Sequence, residues 1–419
     1  MNTAAAGNAT EQPAPAVNTR VATRLAWLKV VAILGAGMSG FPLAAAAQSL
    51  GYFSPSFAIG RVHDDNVLES ATQPQGDYLW RFSPALQAGY HSGTLSLDGF
   101  YTFDVERYSV HRQLDSNQAR KNAAVNLKYL ASPRLDLSMD GIYAKTNTPN
   151  ELSVAAGLQL GRAAAAVYSL QPAATYRFTP LTSGTASYSF TRETLEPGID
   201  SDIRSATFTL SHSLDERNST NVNLEGSDYT FSQGGESSSH ALTGGWVHDF
   251  SPQTSLSLQA GPRITEGTHS TDLLVSLRQT NEHGEWSLAY SRTLGTVIGI
   301  PGTVDMRVAT ATLVYWPSKS LRLELLPAFI SDRAAGSKVR VYELQLRASY
   351  SLSQAVSLVG WYQADVQHGV LNSPVDEDIA RHVAFVGLVV AWGVTPLPHL
   401  PPPPSPFGGM LPPPRPTGP

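Results

Sequence analysis

The chain of 419 residues contains no cysteine. No disulfide can brace it, and no lipid can be attached through a cysteine after removal of a leader. Charge is also scarce. Asp, Glu, Lys and Arg make up 15% of the residues, against about 25% in a typical soluble domain. After the first fifty residues there is no long apolar run, so no helix of the length needed to span a bilayer is expected. GxSxG, P-loop and HExxH signatures are missing and the eleven His are scattered. We therefore assign no catalytic residue, no metal ligand and no cofactor, and expect no enzyme. A net charge of −5 argues against nucleic acid as a partner.

The N-terminus has a leader's composition. Arg20, Arg24 and Lys29 precede "VVAILGAGMSGFPLAAAA", which ends at Ala45-Ala46-Ala47 before Gln48. A basic region, an apolar core and a small-x-small site predict a secretory signal peptide over residues 1–47. The Gly, Ser and Pro within the core weaken the alternative of a membrane anchor. The long stretch before Arg20 leaves room for an internal start codon. Removing the leader takes away three basic residues and one acidic residue, leaving 26 against 33 and a net charge of −7.

Beyond Gln48 the chain is dominated by alternation. In "GTLSLDGFYTFDVERYS" (93–109), Leu95, Leu97, Tyr101, Phe103 and Val105 share one face. Ser96, Asp98, Thr102, Asp104 and Glu106 share the other, interrupted only by Phe100. "DYLWRFSPALQAGY", "LRLELLPAF" and "VYELQLRASY" repeat the pattern. In "NVNLEGSDYTF" the parity switches after Gly226, which predicts a β-bulge. Two kinds of connection alternate between the runs. Tight ones such as "SPR", "DERN", "SPQ" and "NEHG" trade places with generally longer ones such as "RVHDDNVLESATQPQGD" and "TNTPNELSVAAGLQLGRAA". Eighteen strands fit between Gly51 and Gly393, each taking about nineteen residues with its connection. A soluble sandwich usually turns every 8–12 residues.

A strand of about 13 residues is roughly 43 Å long, and tilted by about 45° it crosses about 30 Å of hydrocarbon. Backbone groups inside a bilayer must all be paired, so such strands have to close. The prediction is an all-β fold, a transmembrane antiparallel up-and-down β-barrel of about eighteen strands over residues 48–394. The apolar faces meet outer-membrane lipid, and the charged faces line a wet interior. Strands entering tight turns tend to end in an aromatic: Tyr90, Tyr129, Phe178, Phe250, Trp316 and Tyr350, with Trp392 closing the last strand. These seven form a candidate girdle at the periplasmic interface. Twelve of the final twenty-four residues are proline, which predicts a disordered periplasmic tail over 395–419.

Several segments resemble a known family. "SLAYSRTLGTVIGIPGTVD", "ALTGGWVHDFSPQTSLSLQAGPRI", "TPNELSV" and "DYLWRFSPALQAGY" are similar to outer-membrane β-barrels of the porin type encoded in exopolysaccharide-biosynthesis and exosortase-linked loci of Gram-negative bacteria. The resemblance covers residues 51 to about 393 and implies a role in or beside polysaccharide export, with periplasmic export proteins as partners. It carries no catalytic residues.

On this register the lumen wall carries Asp98, Asp104, Glu106, Arg120, Lys128, Asp136, Asp140, Arg278, Arg322, Glu324, Glu343 and Arg347. Both signs occur, so a mixed track for a hydrated solute is expected rather than a one-sign filter. Such groups can also pair across strands, as Arg322 with Glu343 would. The segment 146–163 is the candidate constriction. "HDDN" (63–66) and "VDED" (375–378) offer carboxylates to Ca²⁺, although solvated loop acids are the commoner case. His240 and the His269–Ser270 pair are the rim groups from which a barrel hydrolase would be built. The leading expectation is a channel for hydrated solutes or for exopolysaccharide export. The alternative is a non-conducting structural barrel.

Overall fold

The tight turns show how local sequence sets the architecture. Each of the eight begins with a short polar side chain that accepts backbone N–H groups two or three residues on. Ser132, Ser251, Ser318 and Ser353 do so through Oγ at 3.1–3.3 Å. Thr179, Asp215, Asn281 and Ser92 repeat the arrangement. A side chain that mimics a backbone acceptor fixes the reversal, so the flanking alternating segments enter antiparallel pairing in a defined register.

In the computed structural model, which describes residues 51–152, 158, 162–334, 337–369 and 378–392, eighteen strands result. They are β1 Gly51–Asp64, β2 Asp77–His91, β3 Leu95–Tyr108, β4 Ser116–Ser132, β5 Leu135–Thr146 and β6 Ala164–Arg177. Next come β7 Thr182–Glu196, β8 Ser201–Ser213, β9 Asn218–Phe231, β10 Glu236–Ser251, β11 Thr254–Thr265 and β12 Thr268–Asn281. The last six are β13 Gly284–Gly295, β14 Val304–Ser318, β15 Leu321–Ala334, β16 Ser337–Ser351, β17 Val356–His368 and β18 Asp378–Ala391. Each pairs antiparallel with its sequence neighbours, and β1 also pairs with β18 from Ser56↔Ala391 to Asp64↔Val383. The sheet is closed, as the alternation predicts. The leader (1–47) and the Pro-rich tail (395–419) lie outside the described residues.

The two faces differ as a membrane barrel requires. Leu97, Tyr101, Leu224, Leu288, Leu313, Leu344 and Leu346 are exposed large apolar side chains. The opposite parity carries buried Arg81, Glu106, Arg263, Glu343 and Arg381. Loops link this charged face between strands far apart around the wall, which only the inside of a closed barrel permits.

The wall departs from expectation at Gly226. The register runs unbroken through β9 against both β8 and β10, so there is no bulge. Val222 and Leu224 face lipid. Beyond Gly226 the same face leaves the apolar belt and carries Asp228. Meanwhile Tyr229 and Phe231 turn inward and pack on Ile199 and Ile203. The parity change marks a change of environment along a straight strand. The true irregularities lie at the tight-turn ends, at Leu130/Ser132, Asp249/Ser251 and Tyr315/Ser318, and at Asp104/Glu106. At the opposite end β11 and β12 are joined by Glu266 and Gly267 alone, with φ of 49° and 78°. That two-residue hairpin needs positive φ at both positions, which explains the glycine.

Leu346, mid-way along the outer face of β16, tests the membrane assignment. Leu346→Arg is expected to cost about 2–4 kcal/mol of folding stability in bilayers. Thr207→Arg, on the inner face of β8 opposite Glu225, is expected to change it by about 0.5 kcal/mol or less. Urea titration of folding into lipid vesicles, followed by tryptophan fluorescence, reads both.

Candidate functional site

At the end opposite the tight turns, three connections fold into the lumen. The one between β13 and β14, "TVIGIPGT" (296–303), bridges two walls. Val297 and Ile300 pack on Val308, Ile330, Val339 and Val341 of β14–β16. Ile298, fully buried, packs on Ala144, Leu152 and Ala165 beside β5 and β6. Thr296 donates from Oγ1 to Glu193 Oε2 of β7 at 2.9 Å. Gly299 holds a φ of +79°, and a Cβ there would lie 2.3 Å from Leu195 Cδ2. The bend therefore tolerates only glycine.

The β5–β6 connection reaches across from the other side. The Leu158 N–H donates to Gln367 Oε1 of β17, and Arg162 Nη1 donates to the Tyr108 hydroxyl of β3 at 2.8 Å. Glu151 takes Arg120 Nη2 at 2.5 Å and Thr146 Oγ1 at 2.7 Å. Between them stands an ion-pair cluster. Arg81 donates to Glu106 Oε1 at 2.8 and 3.0 Å, and Tyr108 donates to Glu106 Oε2 at 3.0 Å. Arg381 Nη2 lies 2.6 Å from Asp64 and its Nη1 2.7 Å from Glu69 of the β1–β2 connection. The cavity these groups enclose measures about 10 Å³, room for about one water. Glu69 has a φ of 53°, and its Oε2 has no partner among the described residues. Burial pushes its carboxyl up to about 7 against the pull of Arg381.

Away from the cluster the wall is polar and more open. Along β15–β17 a ladder of donors and acceptors runs toward the tight turns. Gln363 donates to Asp365 at 2.9 Å, Gln345 to Gln363 at 3.2 Å and to Glu343 at 2.5 Å, and Arg347 to Gln345 at 2.7 Å. Arg322 Nε then meets Glu324 at 2.6 Å. The facing β6–β11 wall carries small hydroxyls and amides, such as Ser169–Thr191, Thr175–Thr185, Ser205–Ser227 and Thr209–Asn223. Arg263, 1% exposed, is held there by Asp272, Glu225 and Ser239. Asp332, two residues beyond Ile330 on the inner face of β15, is fully buried, and neither carboxylate oxygen has a hydrogen-bond partner among the described residues.

The twelve wall residues read from the sequence fall into three groups. Asp104, Glu106 and Arg120 join the cluster. Arg322, Glu324, Glu343 and Arg347 stand on the ladder. There Arg322 is opposite Ser349, and Glu343 is opposite Ala328 and Asp365. The expected Arg322–Glu343 pair does not form, because the register sets them several rungs apart. Asp98, Lys128, Asp136, Asp140 and Arg278 lie toward the tight turns. Asp98 meets Tyr52 at 2.8 Å, Asp136 meets Arg177 at 2.5 Å and Arg278 meets Glu285 at 2.8 Å. Asp140 accepts from Asn126, and Lys128 is opposite Ser96.

Of the seven girdle aromatics, Tyr90, Tyr129, Phe178, Phe250, Tyr350 and Trp392 are exposed. Trp316 differs: Arg322 stacks over its ring at 5.8 Å, on the lumen side, and Tyr315 is the exposed aromatic of that strand. The β14 bulge after Tyr315 turns Trp316 back. His269 and Ser270, being adjacent on β12, face opposite sides of the wall. Of "HDDN", Asp64 is spent on Arg381 and Asp65 accepts the His382 N–H at 2.7 Å. Of "VDED" only Asp378 is described.

Sequence reading missed Asp64, Glu69, Glu151, Arg162 and Arg381 as a site. They come from three distant stretches, and only ring closure brings Arg381 to Asp64. It also missed a second aromatic row, which includes Tyr143–Tyr168 at 4.9 Å and Phe329–Tyr342 at 5.0 Å. The signal was available, since Tyr342 precedes the girdle Tyr350 by eight residues on the same parity.

Fold and site together define a membrane-spanning β-barrel with a polar lumen narrowed from one end. No family model matches the chain, and no curated protein matches it. Among solved structures it is similar to the outer-membrane protein OpdK from Pseudomonas aeruginosa, at 13% identity over 81% of this chain and 99% of that one, with a TM-score of 0.43. OpdQ from the same organism gives 10%, 83%, 100% and 0.45. OccAB2 from Acinetobacter baumannii gives 10%, 82%, 98% and 0.45. At these values the likeness carries no functional argument, and the fold rests on the strand register itself.

Arg381→Met removes the cation shared by two buried carboxylates and is expected to cost about 3–5 kcal/mol, read as a lower denaturation midpoint. Glu69 has its own pH signature. Its carboxyl holds a proton more tightly in the closed loop than in the open one, so closure is strongest below about 4.5 and weakens as pH rises through about 7. Hydrogen exchange across 65–76, corrected for intrinsic rates, should speed up over that window, and Glu69→Gln should abolish the trend.

Proposed function

We propose that the chain is an outer-membrane channel through which small hydrated solutes diffuse, with its selectivity set at the narrowed end. The supporting observation is the closed barrel whose interior carries the hydrogen-bonding ladder and hydroxyl wall while its exterior is apolar. Barrels of 16–18 strands are wide enough to hold an aqueous path. The Arg81–Glu106 and Arg381–Asp64 cluster presents both signs to a passing solute, which suits polar and zwitterionic molecules over ions of one charge.

The same reading assigns residues 1–47 to a cleaved leader and 395–419 to a periplasmic tail open to an export partner. It assigns no reaction to the protein. Passage of an exopolysaccharide, implied by the family resemblance, finds no support in the lining or in the comparisons. A second reading, a structural barrel that does not conduct, is favoured by one observation: the cavity inside the ion-pair cluster holds about one water.

Single-channel recording of the refolded chain in planar bilayers separates the two. Steady small steps are expected, and replacing residues 296–303 by a short Gly-Ser link should raise conductance about twofold or more. Silence that persists after the replacement, in protein shown to be folded, would leave the structural barrel standing.

A further inference from the structure

The outer wall of β13–β16 carries charge where a barrel meets the far edge of the membrane. Arg292 is directly opposite Arg307, Arg307 opposite Ser331 and Ser331 opposite Arg340. One step further out, Arg333 is opposite Lys338. All share the parity of the exposed Leu313, Leu323, Leu344 and Leu346, so they point outward. Like charges directly opposite one another on neighbouring strands are destabilising without counter-charge.

The counter-charge within the protein is small. Asp305 takes Arg292 at 3.2 Å and Arg307 at 3.6 Å. Arg333, Lys338 and Arg340 are exposed and form no salt bridge among the described residues, Arg333 being opposite the Asp305 that Arg292 and Arg307 already share. The adjoining connections, "TVIGIPGT" and Ala335-Gly336, contain no acid. On β7–β9 the outward arginines are matched, whereas Arg61, Arg107 and the opposed Lys121 and Lys145 have no carboxylate partner among the described residues. Arg192 has Asp200 at 3.4 Å and Asp202 at 3.8 Å, and Arg204 is opposite Asp228.

Depth supplies the second argument. Arg340 lies ten residues from the girdle Tyr350 along β16. That is about 33 Å of strand, or about 23 Å of height at a tilt of about 45°. The apolar band of such barrels is about 25 Å tall. The last aromatics before the charges, Tyr290, Phe329 and Tyr342, stand one pleat below Arg292, Ser331 and Arg340. The basic strip therefore begins where the headgroups of the long-loop leaflet begin.

We propose that this strip binds the phosphate groups of anionic lipids in that leaflet, with Arg333, Lys338 and Arg340 as its principal contacts and the Phe329–Tyr342 pair seating the acyl-chain boundary. The inference rests on the membrane assignment but not on conduction. Each basic residue near an anionic surface contributes about 1 kcal/mol, so a three-residue strip distinguishes a phosphorylated headgroup from a zwitterionic one.

The test uses the full barrel in nanodiscs of phosphatidylcholine containing a minor fraction of bis-phosphorylated lipid A, with retained lipid counted by native mass spectrometry. Wild type should retain lipid A over phosphatidylcholine. The triple variant Arg333→Gln, Lys338→Gln, Arg340→Gln should bind it about a hundredfold more weakly. The matched-charge control Arg192→Gln, Arg204→Gln should stay within about twofold of wild type. Heat-modifiable gel migration and unchanged conductance confirm that the variants fold, and they report on the channel separately. Equal retention by the triple variant overturns the proposal. So does an equal loss in the control, or displacement of the lipid by millimolar inorganic phosphate.

Discussion

In hydrocarbon a backbone N–H or C=O has no water to turn to, and each unpaired group costs several kcal/mol. Closure of the β1–β18 seam answers that demand. The seam is also thinly registered, with nine paired positions, as between β12 and β13, against fourteen between β1 and β2. Its neighbourhood is reinforced from inside. Val62, Leu79, Val383, Phe385 and Val389 form an apolar patch on the lumen face, and Arg381 ties β18 to Asp64 on β1. A patch of this kind on an inner wall is unexpected for a water-filled barrel, and it lies where the two ends of the chain must find each other.

The interior is then governed by where water can go. Toward the tight turns the polar groups are spaced as ladders and hydroxyl pairs that remain partly exposed. Toward the long connections the 296–303 bridge, with Leu158 and Arg162, excludes water, and the side chains there must satisfy one another. That is why Arg81, Arg381 and Glu106 sit in short, multiply bonded ion pairs, whereas Arg278 and Asp136 hold exposed single partners. A buried ion pair is weak support for stability but costly to break from one side. The cluster is thus better understood as fixing the positions of the inward segments than as strengthening the barrel.

The exterior follows the same logic with lipid in place of water. The apolar belt ends in aromatics at both edges, and beyond one edge the outward charges begin. Those on β7–β9 are balanced within the protein; on β13–β16 one aspartate, Asp305, serves a larger group of cations. Charge left uncompensated at headgroup depth is a surface shaped by the adjoining leaflet as much as by the fold.

Much of this architecture is legible in the chain itself. Period-two alternation over strands of twelve or more residues, with Ser, Thr, Asp or Asn opening every second turn, determines strand number, direction and the lipid and lumen sides, because a one-residue slip would exchange those faces. Sequence alone misjudged Gly226, since a parity change caused by leaving the apolar belt reads the same as a bulge. It also misjudged Trp316, since a bulge at the turn reverses which aromatic faces out. Ring closure and the inward folding of loops decided the rest. Arg381 and Asp64 are separated by 317 residues and meet only because the first and last strands are neighbours. Ile298 becomes core only because its loop turns into the lumen instead of away from it. Period and turn chemistry act between residues close in sequence, whereas the site depends on contacts across the ring, which no local pattern encodes.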